Sequence, residues 1–430
     1  MKPICIAFMT LVFNIHLQAQ SQQFVSTDIA NFWKAYDKIQ TTTDSATQVR
    51  YLQELYIDKG SAGLKSLLEV RNYTAQEYVK VINQYPAFWK SIRKNTLTSG
   101  VHYKEISLYI DNLKKAYPEL KPSTIYFLIG AFRTPGTIQQ NRVLIGTEYS
   151  LGDASTYTQE FPKARQDYYS EYKPRENIAL LCTHEYIHTQ QKEPVDNLLS
   201  YCLYEGVAEF LSSYVSKKPS NSSSISFGIA NHEAVVKKFQ EDMYFPRLSD
   251  WLWGENTNEL KVRDLGYYIG YSICERFLQQ SSDKKAAIKK LIELDFTNDR
   301  EVEKIVDVSK LFPLKLEQML VNYNQQRPTV ISVMPLGDKS QKIKPGILQY
   351  SVTFSEEMDI NFRGFDYGPL GEEYVYELSK IIGWSEDHRT FTLEIKLKPN
   401  KKYQTVISSS FRNKKGFRLK PYLVEFETGE

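Results

Sequence analysis

Residues 184–188 carry two histidines four positions apart, with a glutamate directly after the first: His184-Glu185-Tyr186-Ile187-His188. In an α-helix, positions i and i+4 lie on one face, so both imidazoles can bind the same metal ion. Glu185 lies beside the first ligand and can contact a metal-bound water. The spacing therefore predicts a zinc site on a helix.

A second segment, about 17 residues further on, places Glu205 and Glu209 four positions apart on another helix face. Catalytic zinc takes three protein ligands and keeps one position for water, so Glu205 is the predicted third ligand. Glu209 is predicted to orient a ligand histidine through its second ring nitrogen, as the groups behind metal ligands commonly do. Gly206 has no side chain and lets the two helices approach closely.

These motifs, His184-Glu185-x-x-His188 and Glu205-Gly-x-Ala-Glu209, resemble those of the gluzincin metallopeptidases, the thermolysin-like and aminopeptidase-like group. The resemblance implies that His184, His188 and Glu205 bind Zn²⁺ and that Glu185 is the general base of peptide-bond hydrolysis. A closer similarity is to a largely uncharacterised family of predicted zinc-dependent proteases, in which a strand ending in Ile145-Gly-Thr-Glu148 precedes the motif. The Gly-Ala-Met-Glu-Asn loop of the aminopeptidases is lacking, so the resemblance does not extend to amino-terminal trimming.

Peptide hydrolysis on zinc also needs a hydrogen-bond donor for the oxyanion. Tyr268 is the predicted catalytic donor, because its helix follows the zinc helices and gluzincins often use a tyrosine or histidine there. Tyr267, Tyr271 and His232 are further candidates. Aromatic packing is the alternative role for each tyrosine, and a solvated helix start is the alternative for His232.

Two other features near the motif leave alternatives open. The strand at 142–149 could be an edge strand that holds an extended peptide, or a sheet strand without such a contact. Cys182 and Cys202 precede the two metal-binding segments. They could form a disulfide bridge or complete a closed structural zinc site. The further alternative is that Cys182, Cys202 and Cys274 are three buried thiols.

The sequence patterns around these residues predict helices and strands that together form an α+β fold. Residues from about 28 to 120 show helical periodicity, and two buried strands follow at 123–130 and 142–149. Helices resume at Pro174 and continue to about 325. Beyond 326, short alternating runs separated by turn signals predict a small all-β sandwich. The resemblance to the gluzincins implies that the part of the chain before 326 is a mostly helical, zincin-like metalloprotease domain with a small sheet.

The amino terminus has the parts of a secretory signal peptide over residues 1–19: Lys2, an apolar stretch from Ile4 to Leu17, and Ala19 before polar residues. The metallopeptidase-like domain is predicted over 20–326, with a helical part to about 120 and a catalytic core over about 121–326.

The segment 327–430 carries its own resemblance. Val352-Thr-Phe-Ser-Glu-Glu-Met-Asp359 and Phe426-Glu-Thr428 are similar to a bacterial immunoglobulin-like (Ig-like) domain. Such modules usually act as spacers or adhesion surfaces, so this resemblance implies no catalytic role for the segment.

The charge and the hydropathy of the sequence indicate which classes of partner the protein lacks. The 54 basic and 51 acidic residues give a net charge of +3, and no block of five like charges occurs, so no nucleic-acid partner is predicted. After the signal peptide, no segment approaches 18 uninterrupted apolar residues, which predicts no transmembrane segment. The signal peptide predicts a secreted, periplasmic or cell-surface location.

The sequence thus predicts an exported zinc peptidase with Zn²⁺ as cofactor and a peptide or protein as substrate. One alternative is a non-catalytic secreted or surface binding protein that has a structural zinc site and an Ig-like adhesion module. Another is a zinc hydrolase that acts on a non-peptide amide.

Overall fold

The computed structural model describes residues 23–244, 247–254, 256–337 and 342–430. The predicted signal peptide over 1–19 lies outside these residues. The chain divides into two compact units between Phe312 and Pro313. The division falls earlier in the chain than the predicted boundary near 326. Helices dominate the first unit and strands the second, which confirms the mixed α+β class.

The first unit is mostly helical. Its helices are α1 (Thr27–Ile39), α2 (Ser45–Leu52), α3 (Ala62–Arg71), α4 (Ala75–Gln84), α5 (Pro86–Leu97), α6 (Tyr103–Ala116), α7 (Thr147–Ser150), α8 (Lys163–Tyr172), α9 (Ile178–His188), α10 (Leu198–Ser216), α11 (Ser223–Ala230), α12 (His232–Asp242), α13 (Leu265–Gln280), α14 (Lys284–Ile292) and α15 (Asp299–Ser309). Among the described residues, no helix is both long enough and apolar enough to cross a membrane.

A four-stranded sheet accompanies these helices, with the order β1 (Gln23–Val25), β2 (Thr124–Leu128), β4 (Arg142–Gly146), β3 (Gly136–Gln139). β1, β2 and β4 run parallel, whereas β3 runs antiparallel to β4. β4 is therefore an internal strand, and β1 and β3 are the two edge strands. The possibility that the segment 142–149 is an edge strand is wrong, because β4 has partners on both sides and Thr147 begins a helix.

Helices α9 and α10 carry the predicted metal ligands and are buried on nearly all sides. Apart from those ligands, their residues are mainly apolar or small, which is typical of a core helix. The side chain of Asn197 caps the start of α10 by accepting a hydrogen bond from the backbone N–H of Ser200. The cap fixes where α10 begins.

Two glycines bring the backbones of α10 and α13 into direct contact. A Cβ atom built on Gly206 would lie 2.2 Å from the carbonyl carbon of Gly270, and one built on Gly270 would lie 1.7 Å from the backbone oxygen of Cys202. A side chain at either position would push the two helices apart. Because Glu205 is adjacent to Gly206, this contact also sets the position of the predicted third ligand.

The second unit contains α16 (Leu316–Gln325) and two antiparallel sheets. One sheet has the order β5 (Val330–Met334), β6 (Gly346–Phe354), β9 (Thr390–Leu397), β8 (Glu377–Trp384). The other has the order β11 (Tyr422–Glu427), β10 (Lys402–Ile407), β7 (Phe365–Tyr367). Buried side chains from both sheets form one hydrophobic core, which includes Val352, Phe354, Leu393, Ile407 and Phe426.

The substitution Gly206→Ala should destabilise the chain by at least about 2 kcal/mol, because the added methyl group overlaps the backbone of α13. Urea unfolding followed by circular dichroism would measure the change. Gly100→Ala is the matched control, since its Cβ would lie 3.7 Å from the nearest neighbouring atom, on Tyr103. The control should change stability by less than about 0.5 kcal/mol. Equal effects of the two substitutions would contradict the close helix contact.

Candidate metal centre

Three predicted ligands from α9 and α10 meet at one point. The Nε2 atoms of His184 and His188 are 3.0 Å apart. The Oε2 atom of Glu205 lies 3.3 Å from the first of these nitrogens and 3.2 Å from the second. All three residues are buried, with at most 9% of the surface of each residue exposed. The structure thus brings together His184, His188 and Glu205.

Hydrogen bonds behind the two imidazoles decide which ring nitrogen carries the proton. His184 Nδ1 lies 3.1 Å from Oε2 of Glu209, and an ionised carboxylate can only accept. His188 Nδ1 lies 2.7 Å from Oε1 of Gln191, whose amide nitrogen donates to the backbone oxygen of Tyr204. Both Nδ1 atoms therefore donate, and in the neutral rings both Nε2 atoms present lone pairs.

Three acceptors facing one another repel unless a positive charge lies between them. Zinc ligands about 2.0–2.1 Å from a tetrahedral ion are about 3.3 Å apart, close to the distances observed here. Imidazole nitrogen and carboxylate oxygen are also atoms that commonly coordinate zinc in proteins. The residues therefore fit a zinc ion.

The pKa values show how strongly the site attracts positive charge. Burial lowers the pKa of His184, but the hydrogen bonds to Glu205 and Glu209 outweigh burial and hold that pKa well above its ordinary value. Burial raises the pKa of Glu205, yet the two histidines hold it below its ordinary range. Both shifts have the same cause: the two carboxylates and the two rings favour a positive charge at this point.

Glu185 lies on the side of the cluster that faces the sheet. Its carboxylate is so close to the edge strand β3 that a Cβ on Gly136 would lie 2.6 Å from its Oε1. Burial raises the pKa of Glu185, whereas the charges of His184 and His188 lower it. A side chain at position 136 would therefore displace the Glu185 carboxylate from its place beside β3.

Of the tyrosines on α13, the structure brings Tyr267 to the cluster. The Tyr267 ring stacks on His184 with 6.3 Å between ring centroids, and its hydroxyl is hydrogen-bonded to Glu205. Tyr268 lies on another face of the helix, and its hydroxyl is 2.6 Å from Nδ1 of His232. The structure therefore places Tyr268 and His232 together, but apart from the metal ligands.

Several residues near the ligands were missed by sequence reasoning. Gln191 lies three residues after His188, in the turn that follows α9, so its closeness in the sequence was a weak signal for contact with that ring. Tyr204 stacks on His188 with 4.2 Å between centroids, and the hydroxyl of Ser220 donates to Glu209. Ser220 lies in a loop after α10, and a loop has no sequence periodicity from which its contact with Glu209 could be predicted.

The cysteines near the motif do not form a disulfide. Cys182, Cys202 and Cys274 are free and buried, and burial raises the pKa of each thiol. The donor atoms that converge on one point belong to His184, His188 and Glu205.

Glu148, the acid of the Ile-Gly-x-Glu segment, has a separate environment. It is fully buried, and its carboxylate accepts hydrogen bonds of 3.0 Å from the N–H of Gly130 and 2.8 Å from the N–H of Phe132. Phe132 has a positive φ of 63°, which is unusual for a bulky residue. Glu148 thus fixes the turn that follows β2. Burial raises the pKa of Glu148 to about 7, although these hydrogen bonds lower it.

The fold and the site define a mostly helical unit with a buried histidine–glutamate cluster. A family model described as gliding motility protein GldB matches residues 15–245, which include every predicted metal ligand. Because the match covers more than half of the 430 residues, the chain belongs to this family. The membership indicates a protein associated with the cell envelope.

No curated protein matches the sequence. Among solved structures, the S-layer protein rSbsC(31-844) is similar over 94% of this chain and 45% of its own length, at 12% identity and a TM-score of 0.18. The chain thus spans less than half of that structure. A TM-score this low supports no conclusion about fold or function.

The family assignment corrects the functional prediction. The predicted zinc metallopeptidase, with its hydrolase and protease classification and its peptide substrate, is wrong, because the matching family is one of gliding motility proteins. The resemblance to gluzincins and to the predicted zinc-dependent proteases is overturned by the same finding. The physical reason is that His-x-x-x-His spacing reports which side chains share a helix face, and structural and catalytic metal sites can both use that spacing. The catalytic roles predicted for Glu185 and Tyr268 belonged to that reaction and are not carried further.

Raising the pH should reduce the stability contributed by Glu148. Folding raises its pKa from 4.5 to about 7, so the folded state holds a proton that the unfolded state has lost between these values. This contribution is complete below about pH 4.5 and is lost as the pH rises through 7, with a total of up to about 3 kcal/mol. Urea unfolding from pH 4.5 to 8 should show the stability of the wild type falling relative to Glu148→Gln. A constant difference between the two proteins would contradict the raised pKa.

Proposed function

We propose that the protein is a non-catalytic binding component of the gliding machinery in the cell envelope, stabilised by a zinc ion at His184, His188 and Glu205. One observation carries the zinc site: three buried acceptor atoms face one another at 3.0–3.3 Å, while outer hydrogen bonds hold both Nδ1 protons away. Family membership supports the role in gliding.

The location of the ligands supports a structural role for zinc. Two ligands are on α9 and the third is on α10, so the ion would link the two helices at the centre of the first unit. Each ligand is nearly inaccessible to solvent, and β3 passes close to the adjacent Glu185. A bound ion would supply the positive charge that the three acceptors require and would stabilise the folded state.

We also propose a fold for each of the two domains and a location for the protein. The first domain would be zincin-like and the last, over 327–430, an Ig-like sandwich that binds a partner. Two antiparallel sheets with one shared core support the sandwich. We further propose that the protein is exported by means of the signal peptide over 1–19 and is secreted or lies in the periplasm or on the cell surface.

Two substitutions in α9 test this function. His188→Ala should lose zinc, measured by elemental analysis, and should lose the stability that the ion provides, about 2.7 kcal/mol when zinc is a hundredfold above its Kd. Glu185→Gln keeps the three ligands and should retain zinc, stability and the gliding of cells that carry it. A folded, zinc-bound Glu185→Gln protein that abolishes gliding would contradict the non-catalytic role. Full stability of His188→Ala would contradict the structural role of the ion.

Gln191→Leu should weaken zinc binding about 10–100-fold, because the Nδ1 proton of His188 loses its acceptor. Competition with a chromophoric chelator would measure the affinity. The adjacent Gln190→Leu is the matched control, since Gln190 is hydrogen-bonded to the backbone of Lys121 and not to a ligand. Equal affinities of the two variants would show that Gln191 does not orient His188.

A further inference from the structure

The second unit is closed along one side of its two sheets. That side is bordered by the edge strands β5 and β11. The core-facing side chains there, Val333 on β5 and Val424 and Phe426 on β11, are only 2–4% exposed. The side chains that face the core along this side are therefore covered.

The opposite side, bordered by β7 and β8, is different. In an antiparallel pair, directly opposite residues point to the same face. Three side chains on these edges lie opposite buried core residues: Leu378 opposite Ile395, Ile381 opposite Leu393, and Tyr367 opposite Thr405. All three should therefore point towards the core, yet they are 52%, 43% and 59% exposed. We call this side the β7–β8 cleft.

The cleft arises from the unequal number of strands in the two sheets. One sheet has four strands and the other has three. In the part of the chain that the structure describes, no strand beside β7 therefore covers the inner face of β8. A cavity of about 210 Å³ lies there, with apolar walls that include Phe365, Tyr376, Leu378 and Ile381. Among the described residues, β7 pairs only with β10, which leaves its other edge open to a further strand.

Charged residues differ between the two ends of β7. Arg363, just before the strand, lines the cavity. Glu372, after the strand, is hydrogen-bonded to the hydroxyl of Tyr367 and is followed by Glu373. An extended segment in the cleft would therefore favour an acidic residue at the Arg363 end and a basic residue at the Glu372 end.

We propose that the β7–β8 cleft binds an extended segment of a partner protein, which adds as one strand to the free edge of β7. Its side chains would alternate, with apolar ones covering Leu378 and Ile381 and polar ones facing solvent. A lone strand fits better than the sheet edge of a second copy, because the deficit is one strand and β8 borders the cleft. This inference rests on the binding role proposed above and specifies where the partner binds.

A fluorescent peptide tests the cleft in the full-length chain. The probe has the eight-residue length of β8, alternates valine and threonine, and has glutamate at one end and lysine at the other. A peptide of the same composition with the valines grouped together is the control. Fluorescence anisotropy should show saturable binding of the alternating peptide and at least about tenfold weaker binding of the control.

Two neighbouring isoleucines supply matched variants. Ile381 lines the cleft, whereas Ile382 is similarly exposed, at 48%, but does not line it. Ile381→Lys should weaken peptide binding at least about tenfold, and Ile382→Lys should leave it unchanged within about twofold. Absence of saturable binding, or equal loss in both variants, would overturn the proposal. So would a wild-type dimer that only Ile381→Lys converts to a monomer, since the occupant would then be a second copy. None of these outcomes bears on the zinc and gliding measurements, so the proposed function can fail or stand separately.

Discussion

The constraint on which the first unit depends is the charge balance of three buried acceptors. Two imidazole nitrogens and a carboxylate oxygen lie within 3.3 Å of one another, where water cannot separate them. Such an arrangement is stable only when a positive charge neutralises it, since unpaired charge in a buried site is costly. The hydrogen bonds from His184 to Glu209 and from His188 to Gln191 follow from the same need, because they turn both lone pairs towards one point.

Backbone contacts make this arrangement possible. Gly206 and Gly270 let α10 and α13 touch, which places Glu205 beside the histidines and brings Tyr267 over His184. Gly136 leaves the space in β3 that the Glu185 carboxylate occupies. The polar site thus depends on a few residues whose contribution is the absence of a side chain.

The spacing of the two histidines predicts the geometry of the site in this protein but not its function. The His-x-x-x-His pattern identifies side chains that share a helix face, and the structure brings those side chains together with Glu205. The same geometry serves an ion that links helices and an ion that activates water, so the pattern alone does not distinguish them. Membership in the gliding motility family decides against the peptidase, and it directs attention to binding surfaces such as the β7–β8 cleft.

The sequence by itself determined what depends on local periodicity: the helical first part, the strand-rich last part, and the placement of His184 and His188 on one helix face. Only the tertiary structure decided which tyrosine of α13 meets the cluster, because Tyr267 and Tyr268 differ by 100° around the helix and the packing of α13 sets which one faces inwards. It likewise decided that β4 is an internal strand and that β3 lies at the edge beside it. Strand order and the uncovered face of β8 depend on partners far apart in the chain, and local patterns carry no information about them.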